Sequence, residues 1–421
     1  MHKIISTLWS IVTLGLWLNL VGCNKAAPLP TAPNTPPFQN LSEQQVDSLF
    51  QLYGSPQVSL LTCSASDSEP FYMYGHSAIR VRTAQQDVVY NYGTFSFNQP
   101  HFLWNFMTGT PRYMLAVQEF EVFIWAYQMD GRGVQEQTLN LSPRQTLTLC
   151  WQLMQQASPE YREYYYNFYF NNCATKPRDL ILKYANTKEL DNLCKQTFRD
   201  AIRHAHGRNH WYSMGCDLCL GWESDAPMTQ WQAAFLPDSL HNLVATAHTP
   251  NGHPFMKKEE TLLTATAPQK DFGPLTPNVV FSLFFIVYAG LCYGKRYAQK
   301  RVRLIKVTHA TLRTSLYLGC FIAGCILWFL AFVSHHPHTL GNLNLLLFHP
   351  FYLLLLLSTL VRGNKKWSMW LYFINFACVV IYIVLTAIGV QKAPEGIEWI
   401  AFALLADLVA IWSSKLFQKQ L

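Results

Sequence analysis

Charged residues are scarce in this sequence: Asp, Glu, Lys and Arg together make up 14% of 421 residues, and beyond Pro277 long stretches contain none. That scarcity excludes a chain exposed to water along its whole length. Asp and Glu are missing altogether from the basic loops between those stretches. No internal repeat runs through the part before them, which excludes a solenoid or propeller. The CxxC of "CDLC", Cys216 and Cys219, has no matching second pair, and so makes a poor zinc signature even beside His204, His206 and His210.

What is present divides the chain in two, as a length of 421 residues leads one to expect. Up to Pro277 charged, polar and aromatic residues mix. From Asn278 onward five apolar stretches approach the roughly 20 residues a membrane span needs. They run Asn278–Tyr293, Leu312–Val333, Leu343–Val361, Trp367–Val390 and Ile397–Trp412. Lys295, Arg296, Lys300, Arg301, Arg303 and Lys306 follow the first; Arg362, Lys365 and Lys366 follow the third; Lys415 and Lys419 follow the fifth. The positive-inside rule then sets these loops in the cytoplasm and everything before Asn278 outside. Their cations exceed the whole net charge of +7, so the rest of the chain is net acidic and offers nothing to nucleic acid.

Residues 1–22 read as a signal peptide or signal anchor, with Lys3 before an apolar run and "LVGC" placing Cys23 as a lipidation candidate. Residues 23–40 are a Pro-rich tether. An outward domain follows over 41–250, a linker over 251–277, and the membrane helices over 278–415. Within the outward domain, "VSLLTCSASD", "YGHSAIRV" and "QDVVYNYGTFSF" predict adjacent antiparallel strands. "SPRQTLTLCWQLMQQA" predicts a helix with Ser142 as N-cap and Pro143 at its first position.

The chemistry concentrates in "YGHSAIRV" and "YNFYFNNCATKPRD". Thiol catalysis needs a sulfur nucleophile and a base that meet in space. With Asn172 capping a helix, Cys173 occupies its first turn, where unpaired amides favour a negative sulfur and offer an oxyanion site. His76 is the base, and a polar residue of the next strand fixes its ring: Asn91 first, Tyr92 second. The plain alternatives are a buried Cys and a satisfied strand His. Cys63 is a rival nucleophile, and a disulfide involving Cys194, Cys216 or Cys219 suits an oxidising compartment.

The stretch from "LLTCSASDSEPFYMYGHSAIRV" through "VYNYGTFSF" to "NFYFNNCATKPRDLI" resembles the outward domain of Lnb-type lipoprotein N-acyltransferases, and the five-helix tail matches that family's membrane domain. The resemblance implies an α+β papain-like domain, circularly permuted in the manner of lecithin:retinol-acyltransferase-like enzymes. An all-α five-helix transmembrane domain follows it. It further implies a multi-pass protein of the bacterial inner membrane with its N-terminal domain in the periplasm. The reaction it implies has Cys173 take an acyl chain from a membrane phospholipid as a thioester and pass it to the α-amine of a diacylated lipoprotein, with His76 as base and acid and with no cofactor.

Around that pair, Trp104 in "PHFLWNFMTGT" is a candidate for an acyl groove or the membrane interface, and Lys176 and Arg178 for a lipid phosphate. Asn342 and Asn344, beyond the histidine-rich loop, are candidates for a lipid entrance. Asp407 stands inside the fifth apolar stretch, where a carboxylate is costly. Two other functions compete: a membrane-tethered thiol amidase or peptidase acting on cell-wall peptides, and a non-enzymatic membrane assembly or transport partner.

Overall fold

The computed structural model describes residues 28–266, 272–297, 303–360 and 365–417. The export segment and Cys23 lie outside them, as does much of the first basic loop. Two compact units result. One holds the described residues up to 205 together with Pro227 to 266; the other holds His206–Ala226 and the chain from 272 onward.

The first unit is built on a sheet. A capped helix α1 (Glu43–Leu52) precedes β1 (Gln57–Cys63), β2 (His76–Arg82), β3 (Asp87–Thr94), helix α2 (Phe102–Thr108), β4 (Arg112–Glu119), helix α3 (Phe120–Met129) and β5 (Val134–Leu139). Helix α4 (Pro143–Ala157), β6 (Glu163–Tyr165), α5 (Thr175–Ile181), β7 (Leu193–Thr197) and α6 (Phe198–His206) follow. Seven strands pair antiparallel in the order β6-β4-β3-β2-β1-β5-β9, with β9 (Met256–Leu263) supplied from beyond the second unit's insertion. β7 pairs separately with β8 (Pro227–Thr229).

Side-chain alternation gives the large sheet two apolar faces. Leu60, Ile79, Tyr90 and Tyr92 pack with Leu149 and Leu153 of α4 and Ile181 of α5. Leu61, Cys63, Ala78 and Val89 pack on the other side against Phe123 of α3. Helix α4 begins as its sequence predicts: Ser142 accepts the Gln145 amide, Gln145 bonds back to Ser142, and Pro143 opens the first turn.

The second unit is helical. It comprises α7 (His210–Cys219), α9 (Pro277–Tyr297), α10 (Arg303–Phe332), α11 (Asn344–Leu347), α12 (Tyr352–Leu360), α13 (Lys365–Ala387) and α14 (Ile397–Phe417), while α8 (Pro237–Thr246) belongs to the sheet unit. Among the described residues, three stretches are long and apolar enough to cross a membrane: Pro277–Gly294, Arg303–Phe332 and Trp367–Ala387. The third expected span is broken between α11 and α12. Pro350 has no amide to continue the helix and drives the preceding backbone out of the helical region, and Phe348 is already extended. Helix α14 is a continuous 21 residues and carries Glu398 and Asp407.

Asp407 is held inside this unit. Its carboxylate accepts from Arg313 Nε at 2.9 Å, Tyr317 at 2.6 Å and Tyr288 at 2.9 Å, tying α9, α10 and α14 together. His206–Ala226, contiguous in sequence with the outward domain, bonds instead to this unit. Asn342 and Asn344 donate to Leu218 O at 2.7 and 3.1 Å, and the Trp222 amide donates to Gly341 O at 2.9 Å. His210 meets Glu395 at 2.7 Å.

Candidate active site

Two glycines place the site at one end of β2 and β3. Gly75 takes φ +71° at the close of the turn before β2, and a side chain there would strike the Cys63 carbonyl at 2.8 Å. The chain thereby enters β2 with His76 opposite Cys63. Gly93 takes φ +93° where the β3–β4 register shifts. A methyl group on it would stand 3.2 Å from Cys173 Cβ and 3.7 Å from His76 Cε1. Thiol and imidazole, separated by 97 positions in the chain, therefore flank the same backbone atom.

Asn91 Oδ1 lies 2.6 Å from His76 Nε2. An amide oxygen only accepts, so Nε2 carries the proton and Nδ1 is left as the basic nitrogen. Burial pushes the His76 imidazole down to about 4, against the favourable bond to Asn91. It also pushes the Cys173 thiol up to about 11, although the Ser77, Cys173 and Ala174 amides and Arg132 favour the thiolate. At neutral pH the pair is thus thiol and neutral imidazole, not the preformed thiolate that the helix-start position suggests. Desolvation outweighs the amides.

Asn172 explains part of that outcome. Its Oδ1 accepts from the Ala174 and Thr175 amides, each at 2.8 Å, while its Nδ2 donates to the Phe168 and Phe235 carbonyls. The expected cap is not formed: α5 starts at Thr175 with Ala174 at its N-cap, so Cys173 stands before the first turn, and Asn172 occupies two of the amides expected to hold an oxyanion. The Cys173 and Ser77 amides remain directed at the sulfur.

The other expected residues disperse. Tyr92 alternates to the opposite face of β3, is 1% exposed, and donates to Gln156 Oε1 at 2.8 Å; it is core, not site. Arg178 is buried against Asp179 at 2.7 Å and the Trp231 ring and carbonyl, so an internal carboxylate replaces the expected phosphate. Lys176 lies over the Tyr164 ring. Asn342 and Asn344 are buried on Leu218, so they build the second unit and line no lipid entrance. Cys63 is fully buried against Tyr127, which removes it as a nucleophile.

Trp104 is 55% exposed, so α2 does not fill the core with it. Phe102 of α2 begins a run of rings: Phe102 stacks on Phe95 at 5.5 Å, Phe95 on Tyr113 at 4.7 Å, and Tyr113 on Tyr166 at 4.3 Å. Tyr113 and Tyr166 both feel the Cys173 charge. An aromatic wall thus connects the exposed helix to the thiol.

Among the described residues no disulfide is formed by Cys194, Cys216 or Cys219. Among the described residues, Cys292, His309 and Asp407 form the grouping with metal-ligand proximity. The Asp407 oxygens are already taken by Arg313 and two tyrosines, which neutralises the charge a cation would need.

Two family models match the chain. The Lnb N-terminal periplasmic domain covers residues 50–204, which include His76, Asn91 and Cys173, and the Lnb transmembrane domain covers residues 268–419. Neither a curated protein nor a solved structure matches.

Proposed function

Because this chain belongs to the Lnb family, with a periplasmic domain followed by a transmembrane one, we propose that it is a lipoprotein N-acyltransferase of the bacterial inner membrane. The observation that carries this reading is the flanking of Gly93 by Cys173 and by a His76 whose Nε2–H is bound to Asn91. A neutral Nδ1 beside a thiol is the starting state for attack with proton transfer.

In the first half-reaction His76 Nδ1 takes the Cys173 proton as the sulfur attacks an ester carbonyl of a phospholipid. Collapse of the tetrahedral adduct breaks the ester C–O bond. The proton passes from His76 to the departing alkoxide, releasing a lysophospholipid and leaving an acyl thioester. In the second, the α-amine of a diacylglyceryl-cysteine attacks the thioester while His76 accepts an amine proton. The thiolate leaves and is reprotonated, giving an amide. Burial that raises the thiol also excludes water, the competing acceptor, and the aromatic wall from α2 to Tyr166 supports passage of an acyl chain.

Mass spectrometry of a lipoprotein's N-terminal peptide tests this in cells deprived of their own N-acyltransferase. Supplying the protein is expected to add a third, amide-linked acyl chain, and Cys173→Ser to remove it. A diacylated peptide from cells that express the protein well overturns the function. A triacylated one with Cys173→Ser overturns the site.

A further inference from the structure

Two buried arginines of the sheet unit come with carboxylates. Arg80 bonds Asp87 and Glu136, the latter at 2.9 Å, and Arg178 bonds Asp179. Arg132 does not. It is 3% exposed, its Nε donates to the Ser64 carbonyl at 3.0 Å, and its guanidinium lies over the rings of Tyr72 at 4.2 Å and Tyr127 at 4.8 Å. Its Nη2 has no hydrogen-bond partner among the described residues. A buried cation without an anion is destabilising by itself, so its retention calls for a negative charge that appears at some other moment.

The surroundings indicate where. Ser64 follows Cys63, the residue opposite His76 on the β1–β2 ladder, and Tyr72 sits in the turn that delivers His76 to β2. Arg132 is therefore packed on both segments that border the His76 end of the sheet. Its field disfavours protonation of His76 and favours ionisation of Cys173. The other titratable groups that face the sulfur are His76 of β2, Cys63 of β1, Tyr113 of β4, Tyr127 of α3, and Tyr164 and Tyr166 of the β6 segment. Each of these is neutral in the resting enzyme; Lys176, over the Tyr164 ring, is the nearby cation of α5.

We propose that Arg132 is the electrostatic partner of Cys173: a positioning residue whose unpaired buried guanidinium stabilises the sulfur's negative charge whenever the thiolate exists. The proposal rests on Cys173 as the nucleophile but not on the identity of the acyl donor or acceptor. In each half-reaction the sulfur carries negative charge, once as its proton passes to His76 during attack on the ester and once on leaving the thioester, and Arg132 lowers the cost of both.

The test is alkylation of Cys173 by iodoacetamide in the detergent-solubilised full chain, followed at the Cys173 peptide by mass spectrometry across the pH range. Thermal unfolding is recorded alongside. Arg132→Gln is expected to slow the reaction about tenfold at fixed pH below the thiol's titration and to move the profile upward, the size expected for loss of one charge at this range. Arg132→Lys keeps the charge while losing the planar fork, and its profile is expected to stay near that of the parent. A parental profile in Arg132→Gln overturns the proposal. So does a profile in Arg132→Lys displaced upward about tenfold, because packing rather than charge is then at work. Should Arg132→Gln fail to fold, Arg132→Lys decides alone. Alkylation needs neither phospholipid nor lipoprotein, so a failure here is separable from a failure of acyl transfer.

Discussion

His76 and Cys173 are displaced by burial in directions that both favour their neutral forms, and this makes the site visible in the pH dependence of stability. For His76 the folded value of about 4 lies below the unfolded 6.5. Between those values the unfolded chain binds more protons, so stability falls as the pH drops from about 6.5 and levels off near 4. The full difference is on the order of 3 kcal/mol. For Cys173, with the thiol pushed up to about 11, the unfolded chain ionises first, and stability falls as the pH rises above 9. Chemical denaturation of the full chain at stepped pH is expected to show the acid-side slope, to which His206, also pushed down to about 4 by burial, contributes, and His76→Gln to reduce it between pH 4 and 6.5. An unchanged slope places the titrating group elsewhere. The Cys, His and Asn types were legible because each is a chemical signature. Arg132 was not, since a lone Arg between two glycines in "DGRGV" reads as an ordinary turn, and its missing counter-ion shows only in three dimensions.

At the scale of elements, the strands and caps were legible where local chemistry decides them. Ser142 and Pro143 open α4, whereas α5 starts at Thr175 from Ala174, two residues beyond the cap expected at Asn172. The break between α11 and α12 was hidden by an apolar count over Leu343–Val361, although Pro350 within it gave the physical signal. Asn172 instead holds the backbone ahead of α5: its side chain satisfies two amides and two carbonyls. Asn172→Ala removes the hydrogen bonds to the Ala174 and Thr175 amides, about 1 kcal/mol, and strands the Phe168 and Phe235 carbonyls, at about 1–3 kcal/mol for a buried group left unmade. A loss of about 2–4 kcal/mol in denaturant unfolding is expected, with Cys173 alkylation changed as its backbone loosens. A loss below ~0.5 kcal/mol means that water replaces the side chain and that Asn172 does not hold the nucleophile's backbone.

Over the whole molecule, the division into an outward domain and a membrane part was legible from hydropathy, but the path of the chain between them was not. "NHWYSMGCDLCLGWESD" has the mixed composition of a soluble loop, yet it is fixed to the helical unit through Asn342, Asn344, Gly341, Glu395 and Lys392. The contact at Gly341 is close enough that a methyl group there would stand 2.8 Å from the Trp222 ring. None of those partners is nearby in sequence, so no local pattern announces them. A membrane unit that binds an insertion of the outward domain this specifically is more than an anchor. The consequence is tested by replacing residues 277–417 with an unrelated single membrane helix. The chimera is expected to retain Cys173 alkylation, because His76, Asn91, Gly93 and Arg132 all lie in the sheet unit. Residues 206–226 are expected to become sensitive to protease, having lost every bond named above, and triacylation of a lipoprotein to fall below detection. A chimera that acylates as well as the full chain shows instead that the helices serve only to hold the domain at the bilayer.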